Sequence, residues 1–318
     1  MKSINNILVV GAGTMGHGIA QSFAQAGYQV SLQDTNPDAL ERSRKLIESS
    51  LKTMIEAGVV KEIELPNILK RIYYTTVLDE VAPKADIAVE TIIENKEAKK
   101  AMFSRLDKLC PPRTLLTSNT SFFNIFDFVE TSRPDKVMMV HWYSPPQIIP
   151  LVDIVKGPQT ADVNIDTMTS ILRDMDKRPI IFNKPVPGYM VTRLQVAFQR
   201  EVYWLIDNGY LSCEHIDEAA IWGLALRMMV VGICQRIDFG GLDISAKAGA
   251  SITSTPVDYI PVKLNELVKS GALGVKTGQG FYDYKGKSEA EICHARDVKL
   301  LKLVKAMQNG EISGPISI

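Results

Sequence analysis

A glycine-rich loop near the N-terminus has the spacing of a phosphate-binding turn. Gly11, Gly13 and Gly16 follow a β-branched run and precede a helical pattern. In this arrangement the first glycine allows a tight turn, the second lets the backbone approach a pyrophosphate, and the third lets helix and strand pack closely. Free N–H groups and the helix dipole would stabilise the phosphates. We therefore expect dinucleotide binding here, through Gly11, Gly13, Thr14, Met15 and Gly16.

An acidic residue at the end of the next strand-like run indicates which dinucleotide is bound. Asp34 closes the run Gln29–Gln33. Its carboxylate would accept hydrogen bonds from the adenine ribose hydroxyls and would repel a 2′-phosphate. Thr35 and Asn36 supply no arginine to offset that repulsion. The loop and Asp34 together predict NAD rather than NADP as cofactor, and the alternative is a glycine turn that binds nothing.

A histidine and an aspartate could form an acid–base pair. His141 ends a predicted strand, and Asp153 lies in the apolar run Leu151–Val155. A carboxylate buried in such a run costs several kcal/mol unless it is paired. An imidazole is a natural partner, because the carboxylate fixes its tautomer and stabilises the imidazolium. A base of this kind suits hydride transfer from an alcohol to NAD, which leaves a proton. The alternative is that His141 is a core histidine with satisfied hydrogen bonds and that Asp153 lies at an exposed strand end.

These residues must be positioned by secondary structure. Over about the first 180 residues, short strand patterns alternate with longer helical patterns, and this alternation is typical of a parallel sheet with crossover helices. Strands are predicted at Ile7–Val10, Gln29–Gln33, Ile72–Thr75, Ile87–Glu90, Leu115–Ser118, Val137–Val140, Leu151–Val155 and Ile180–Phe182. A segment rich in proline, Asn183–Gly188, marks a junction, after which helical patterns dominate. The fold class expected is α/β, with a Rossmann-type dinucleotide-binding domain at 1–184 and a smaller all-α domain at 185–318.

Composition limits the classes of function. The 318 residues carry 36 basic and 36 acidic side chains, so the formal net charge is zero. Nucleic acid and anionic membranes are bound mainly by excess positive charge, so we expect neither as a partner. No apolar run is long enough to span a bilayer, and no cleavable apolar segment follows Met1. The four cysteines form no CxxC pair. We expect a cytoplasmic protein without a metal site.

Several motifs in the same order resemble the 3-hydroxyacyl-CoA dehydrogenase family. The resemblance runs from residue 5 to about 285, and the motifs together are far more specific than any one of them. They are the Gly11–Gly16 loop, Val89–Asn95, Ser118-Asn119-Thr120-Ser121, the His141 segment, Pro187-Gly188 and Lys276–Tyr282.

The resemblance implies roles for individual residues. His141 matches the catalytic base, and Asp153 falls where the family has the glutamate that orients it. Ser121 matches the serine near the nicotinamide and the substrate hydroxyl. The remaining matches are cofactor contacts, at Glu94, Lys99 and Lys276. Without the resemblance, the stretch from Glu94 to Lys99 would be interpreted as a solvated helix face.

Three departures from the family pattern lie near the reacting groups. Ser144 replaces the asparagine of His-x-x-Asn-Pro, and Thr192 replaces the asparagine of Pro-Gly-Phe-x-x-Asn-Arg. We expect both to contact the substrate. Asp153 is one methylene shorter than glutamate, which removes about 1.5 Å of reach. It can keep its role only if the backbone or ring moves closer or a water bridges the gap.

A fourth departure bears on the substrate class. Arg227 stands in the apolar segment Gly223–Gly232, where the acyl-CoA enzymes usually have a Pro-Met-Gly-Pro turn. This segment is more similar to the branch that contains carnitine dehydrogenase, gulonate dehydrogenase and lambda-crystallin. A substrate carboxylate would pair with Arg227 in bidentate geometry. The alternative is a structural salt bridge.

The helix that would receive the CoA nucleotide, Arg44–Ala57, lacks a concentrated lysine patch, although other basic residues lie nearby. These are Arg42, Arg44, Lys45 and Lys52.

The resemblance thus implies an NAD-dependent oxidoreductase that interconverts an (S)-3-hydroxy compound and its 3-keto form. A small hydroxy acid with a carboxylate is the first expectation for the substrate, and a 3-hydroxyacyl-CoA thioester is the alternative. A crystallin-like structural protein that binds NAD is a third possibility, which the presence of His141 and Ser121 disfavours. The helical domain is expected to form a homodimer, as it does in the family.

Overall fold

The computed structural model describes residues 4–225, 227–229, 232–233, 262–272, 277–279 and 283–309. The chain divides into two compact units, Met1–Thr192 and Arg193–Ile318. The boundary predicted from sequence lay at residue 184, inside the proline-rich junction. Lys276 lies outside the described residues.

One eight-stranded sheet forms the centre of the first unit, in the order β3-β2-β1-β4-β5-β6-β7-β8. The strands occupy the β-branched runs that the sequence predicts. Their bounds are Asn6–Val10 (β1), Gln29–Gln33 (β2), Ile72–Thr75 (β3), Ile87–Glu90 (β4), Leu115–Ser118 (β5), Val137–Trp142 (β6), Leu151–Lys156 (β7) and Arg178–Phe182 (β8).

The sheet is parallel except between β6 and β7, which pair antiparallel. The sequence predicts a parallel sheet, which is confirmed for the other strand pairs, and gives no sign of this one antiparallel pair. The connection of residues 143–150 explains the difference, because a parallel crossover needs about a dozen residues or more. The antiparallel pairing sets His141 directly opposite Asp153. His141 and Asp153, which lie on different strands of the sequence pattern, are therefore cross-strand neighbours.

Helices cover the sheet, and polar caps begin several of them. Asn36 caps α2 by accepting a hydrogen bond from the Asp38 N–H, and Asn95 caps α5 through the Ala98 N–H. Such caps satisfy backbone donors that a helix cannot pair internally. The helices of this unit are Gly16–Gln25 (α1), Pro37–Glu56 (α2), Leu65–Lys70 (α3), Leu78–Val81 (α4), Lys96–Leu109 (α5) and Asp162–Asp174 (α6).

The core lies between the central strands and these helices. Leu8, Leu116 and Val155 from the sheet pack in one buried cluster with Phe103 and Leu106 from α5. Burying each such side chain contributes about 1.5–3 kcal/mol. The core thus fixes the strand ends, and through them the side chains at the carboxyl edge of the sheet.

Helices and one isolated β-bridge, Gln279 to Asp283, make up the described part of the second unit. The helix that begins at Cys213 is an α-helix as far as Ala219 and continues as a π-helix from Ala220 to Ala225. No helix among the described residues is long and apolar enough to cross a membrane. The bounds are Met190–Asp207 (α7), Cys213–Ala219 (α8), Ala220–Ala225 (π-helix), Val262–Lys269 (α9) and Glu289–Gln308 (α10).

Candidate active site

The functional side chains gather at the carboxyl edge of the sheet. Strands β1, β4, β5 and β6 are parallel neighbours, so their carboxyl ends lie side by side. Gly11 follows β1, Glu90 and Ser118 end β4 and β5, and His141 lies near the end of β6. Ligands of open α/β sheets bind outside such an edge.

The glycine loop is shaped by three different constraints. Gly11 has φ of +105°, which disfavours a side chain, and a Cβ there would lie 2.7 Å from the Thr91 carbonyl oxygen. A Cβ on Gly16 would lie 1.8 Å from the Gly11 oxygen, so the turn itself requires glycine. A Cβ on Gly13 would meet nothing within 4 Å. No contact with a described residue requires glycine at position 13, and the open space beside it would let a pyrophosphate approach the backbone closely.

The start of α1 is suited to an anionic group. No side chain caps its N-terminus, and its first turn carries no acidic residue. Asp34 lies beside the loop, where its Oδ2 accepts from the Ala12 N–H at 2.8 Å and its Oδ1 from the Asn36 N–H at 2.9 Å. Uncapped N–H groups, a close backbone and an oriented carboxylate fit the pyrophosphate and ribose of a dinucleotide.

His141 and Ser121 form the centre of the site. His141 is buried, and its Nε2 lies 3.1 Å from Ser121 Oγ, within hydrogen-bond distance. Ser121 belongs to the loop after β5, whereas His141 belongs to β6. The fold thus brings a hydroxyl and an imidazole together, which is the arrangement needed to hold and deprotonate a substrate alcohol.

Asp153 lies beside the same imidazole but does not hydrogen-bond to it. The distance from His141 Nδ1 to Asp153 Oδ2 is 3.9 Å. Both side chains are buried, and Nδ1 makes no hydrogen bond to any described residue. Oδ2 instead accepts a hydrogen bond from the Tyr143 hydroxyl at 2.5 Å. Because aspartate is one methylene shorter than the glutamate of the family, its carboxylate stays beyond hydrogen-bond distance of Nδ1.

Two tyrosines enclose the imidazole. The Tyr189 ring is stacked on it, with centroids 4.2 Å apart and planes 11° apart. The Tyr143 ring stands nearly perpendicular to it, at 4.7 Å and 79°. Tyr189 is buried and donates its hydroxyl hydrogen to the Thr120 carbonyl at 2.6 Å. Burial raises the pKa of both phenols, and the Asp153 carboxylate adds to the effect, so both rings stay neutral.

Glu94 and Lys99 belong to a hydrogen-bonded network that holds the Ser121 loop, in which Lys99 and Glu90 are buried and Glu94 is exposed. Glu94 accepts from the Thr120 hydroxyl at 2.8 Å and from the Ser121 N–H at 2.7 Å. Lys99 is 1% exposed and pairs with Glu90 at 2.7 Å and with Glu94 at 3.5 Å. The stretch is therefore not a solvated helix face at Lys99. The ammonium group meets two carboxylates of the protein itself.

Among the described residues, three of the predicted substrate-binding residues make no hydrogen bond to His141. These are Ser144, Thr192 and Arg227. Ser144 is exposed just beyond β6, and Thr192 is half-buried in the first turn of α7. Arg227 lies in the second unit, where it is exposed and its Nε donates to the Gly223 carbonyl. Within the described part of the chain Arg227 makes no ion pair.

Sequence reasoning missed four residues that shape the site. Glu90, Tyr143 and Tyr189 lie in or beside the motifs that carry the family resemblance, but those motifs imply no role for them. A glutamate in the apolar strand Ile87–Glu90 should have indicated a buried partner. Lys177 was missed entirely: it is buried, and its ammonium donates to the Pro146 and Ile149 carbonyls of the loop after β6, at 2.7 and 3.1 Å. Burial lowers its pKa to about 8.

The described residues contain no group of three or more histidine, cysteine or acidic side chains that could hold a metal ion.

Comparison with known proteins places this geometry in a family. The family model "3-hydroxyacyl-CoA dehydrogenase, NAD binding domain" matches residues 6–185. The model "3-hydroxyacyl-CoA dehydrogenase, C-terminal domain" matches residues 188–284. Together the two matches span most of the chain and both units.

Two similar proteins have names that give different kinds of compound. The probable 3-hydroxybutyryl-CoA dehydrogenase of Bacillus subtilis is 35% identical over 289 residues, which cover 90% of this chain and 99% of the relative. The 5-formyl-3-hydroxy-2-methylpyridine 4-carboxylate 5-dehydrogenase of Mesorhizobium japonicum is 29% identical over 313 residues, covering 97% of this chain and 100% of the relative.

A solved structure of a 5-dehydrogenase for 5-formyl-3-hydroxy-2-methylpyridine 4-carboxylic acid, described as an NAD⁺-dependent dismutase, superposes with a TM-score of 0.84. It has 26% identity and covers 95% of this chain and 98% of that one. The glycine loop, Asp34 and the uncapped start of α1 fit the cofactor that this family uses. The chain belongs to the 3-hydroxyacyl-CoA dehydrogenase family and is an NAD-dependent oxidoreductase.

Proposed function

We propose that the protein oxidises the hydroxyl of a small hydroxy acid to a ketone, or catalyses the reverse reaction, with His141 as the base. The observation that carries the proposal is the distance of 3.1 Å between Ser121 Oγ and His141 Nε2, at the carboxyl edge of the sheet beside the glycine loop. The substrate class is an (S)-3-hydroxy compound that bears a free carboxylate.

His141 takes the proton of the substrate hydroxyl at Nε2. The imidazole must be neutral and carry its hydrogen on Nδ1 for Nε2 to accept, and in that tautomer Ser121 Oγ donates to Nε2. The buried carboxylate of Asp153 lies 3.9 Å from Nδ1, on the opposite side of the ring from Nε2. When bound, NAD supplies the nicotinamide that accepts the hydride.

Ser121 holds the reacting oxygen. Its N–H is bonded to Glu94 Oε1, so the backbone of this residue is fixed while its hydroxyl remains able to contact the substrate. Ser144 and Thr192 are proposed to supply further polar contacts to the substrate, in place of the asparagines of the family pattern. Lys276 is proposed as a further cofactor contact, together with Glu94. For Lys99 we propose an indirect role, because its ammonium group is engaged by Glu90 and Glu94.

The carboxylate of the substrate is proposed to meet Arg227. Support comes from the exposed guanidinium of this arginine and from the similarity over 97% of the chain to a dehydrogenase of a pyridine carboxylate. An exposed guanidinium can bind a carboxylate in bidentate geometry.

A second candidate is the oxidation of a 3-hydroxyacyl-CoA thioester. Its support is the 35% identity to a probable 3-hydroxybutyryl-CoA dehydrogenase. Against it stands the surface of α2, where Arg44 and Lys45 both pair with Glu41 and Arg44 also lies over the Tyr74 ring. These contacts reduce the positive charge available to the phosphates of CoA.

The proposal also includes a homodimer and a cytoplasmic location. Exposed apolar side chains of the helical unit, Val196, Phe198, Ile221 and Trp222, support association between copies. Sedimentation of the purified protein measures the oligomeric state directly.

Formation of NADH tests the function. The protein is mixed with NAD and a panel of 3-hydroxy acids and 3-hydroxyacyl-CoA thioesters, and absorbance at the NADH band is followed. We expect a higher kcat/KM for a free acid, and a loss of about 10-fold or more for that acid in Arg227→Met, since losing one charge-assisted contact costs about 1.5–3 kcal/mol. Preference for the thioesters, with no effect of Arg227→Met, would favour the second candidate. NAD binding without turnover of any compound would contradict an enzymatic role.

A further inference from the structure

The imidazole of His141 lacks the hydrogen bond that normally orients a catalytic base. Its Nδ1 is buried and makes no hydrogen bond to a described residue, and Asp153 Oδ2 is 3.9 Å away. The backbone cannot close this gap easily, because His141 and Asp153 are cross-strand partners held by the β6–β7 ladder. Ser121 holds the ring at Nε2, and a further group must restrain it on the Nδ1 side.

Tyr143 makes contacts that can serve this purpose. Its hydroxyl donates to Asp153 Oδ2 at 2.5 Å, within the range of a short hydrogen bond to a carboxylate. The same hydroxyl lies close to the backbone N–H of Val191, at the start of α7. Its ring stands against the imidazole at 4.7 Å and 79°. One side chain thus contacts the base, the carboxylate behind it and the neighbouring helix.

Tyr189 completes the enclosure from the other direction. It is stacked on the imidazole at 4.2 Å, and its hydroxyl is bonded to Thr120, the residue before Ser121. A ring held by one parallel and one perpendicular aromatic neighbour cannot rotate without losing both contacts.

We propose that Tyr143 is a positioning residue, which holds the Asp153 carboxylate and the His141 ring in register and so replaces the longer carboxylate side chain at position 153. Tyr189 assists by stacking. This inference rests on the proposed role of His141 as the base. It adds that orientation comes from a tyrosine hydroxyl and two aromatic rings rather than from a direct bond between Asp153 and Nδ1.

The distance of 3.9 Å between Asp153 Oδ2 and His141 Nδ1 can be shortened by substitution, which allows a test. Replacing Asp153 by glutamate adds about 1.5 Å of reach, which brings the carboxylate within hydrogen-bond distance of Nδ1. If Tyr143 compensates for the missing methylene, its hydroxyl is needed with aspartate at position 153 and not needed with glutamate. A cycle of Tyr143→Phe, Asp153→Glu and the double variant measures this coupling.

We expect Tyr143→Phe to lower kcat by about 10- to 100-fold, the range found when groups that orient a metal-binding imidazole are removed, while the dissociation constant of NADH is unchanged. We expect the same replacement to have little effect on kcat in the Asp153→Glu background. Tyr73→Phe, which removes an exposed hydroxyl from β3, is the matched control and should leave kcat unchanged.

Three results would overturn the inference. They are full activity of Tyr143→Phe, an equal loss of kcat in both backgrounds, and a loss that follows the thermal midpoint of unfolding across the four proteins. His141→Gln separates this inference from the proposed function. An inactive His141→Gln together with a fully active Tyr143→Phe would remove the role of Tyr143 and leave the base intact. A fully active His141→Gln would remove both.

Discussion

Ser121 Oγ lies 3.1 Å from His141 Nε2, and the backbone N–H of the same serine is bonded to Glu94 at 2.7 Å. The hydroxyl is thus fixed from behind by the loop and faces the imidazole in front. Glu94 is held in turn by Lys99, which is buried against Glu90. The reacting groups depend on an ion-pair network as much as on their own contacts.

Removing the imidazole should abolish the chemistry and spare the cofactor site. We expect His141→Gln to lower kcat by about 10²- to 10⁴-fold, the usual contribution of general acid–base catalysis, with unchanged NADH affinity. Stopped-flow rates and NADH fluorescence titration measure the two quantities. His215→Gln, in the second unit, is the control, and equal rates for both variants would contradict the assignment of the base.

Two glycines of the loop should respond in opposite ways to alanine. A Cβ at position 13 meets no atom of the described residues within 4 Å, so Gly13→Ala should stabilise the fold by about 0.4–1 kcal/mol and weaken NAD binding by about 10-fold or more. A Cβ at position 16 would overlap the Gly11 oxygen, so Gly16→Ala should destabilise the fold by about 1–3 kcal/mol or more. Urea unfolding and NADH titration check both. Undiminished NAD binding by Gly13→Ala would refute a close approach of the pyrophosphate.

The charge of Asp34 should determine the choice between NAD and NADP. Asp34→Asn removes the negative charge that would repel a 2′-phosphate, while it keeps one oxygen for the Ala12 or Asn36 N–H. We expect the ratio of the dissociation constants for NADP and NAD to fall by about 10-fold or more, mainly through weaker NAD binding. An unchanged ratio would indicate that the carboxylate does not face the ribose.

The buried ion pair of Lys99 should be far more sensitive than its surface neighbour. Lys99→Met leaves Glu90 buried without its charge partner, which costs about 3–5 kcal/mol of unfolding free energy. Glu90→Gln in the same chain should recover part of this loss. Lys100→Met, one residue along, removes an exposed pair with Glu130 and should produce no measurable change. Similar stabilities for the variants at 99 and 100 would contradict the role of the network.

Lys177 should make stability depend on pH in the alkaline range. Burial lowers its pKa in the folded protein from the usual 10.5 to about 8. Between these values the unfolded chain binds more protons at this residue, so its contribution to the free energy of unfolding rises with pH. The slope can reach about 1.4 kcal/mol per pH unit. Urea unfolding of the wild type and Lys177→Met from pH 7.5 to 10.5 should therefore give diverging curves, whereas parallel curves would contradict the shift.

The sequence by itself determined the main elements and the cofactor. Each predicted strand forms, because β-branched runs between helical patterns can be buried on both faces of one sheet. The glycine spacing and Asp34 predicted NAD, since the turn, the helix start and the strand end are consecutive in the chain. The predictions of the strands and of the cofactor were confirmed because each depends on residues that lie close together in the chain.

Only the tertiary structure decided how the base is held. The sequence pattern places His141 and Asp153 on two strands. The distance of 3.9 Å between the Asp153 carboxylate and Nδ1 of His141 exists only because the antiparallel ladder sets the two backbones opposite each other. Tyr143 and Tyr189 then contact the imidazole because β6 and the start of α7 converge on it. Lys99, which the sequence would leave on a solvated face, is buried because Glu90 and Glu94 approach it from the end of β4. Such contacts join residues through space, and no spacing along the chain encodes them.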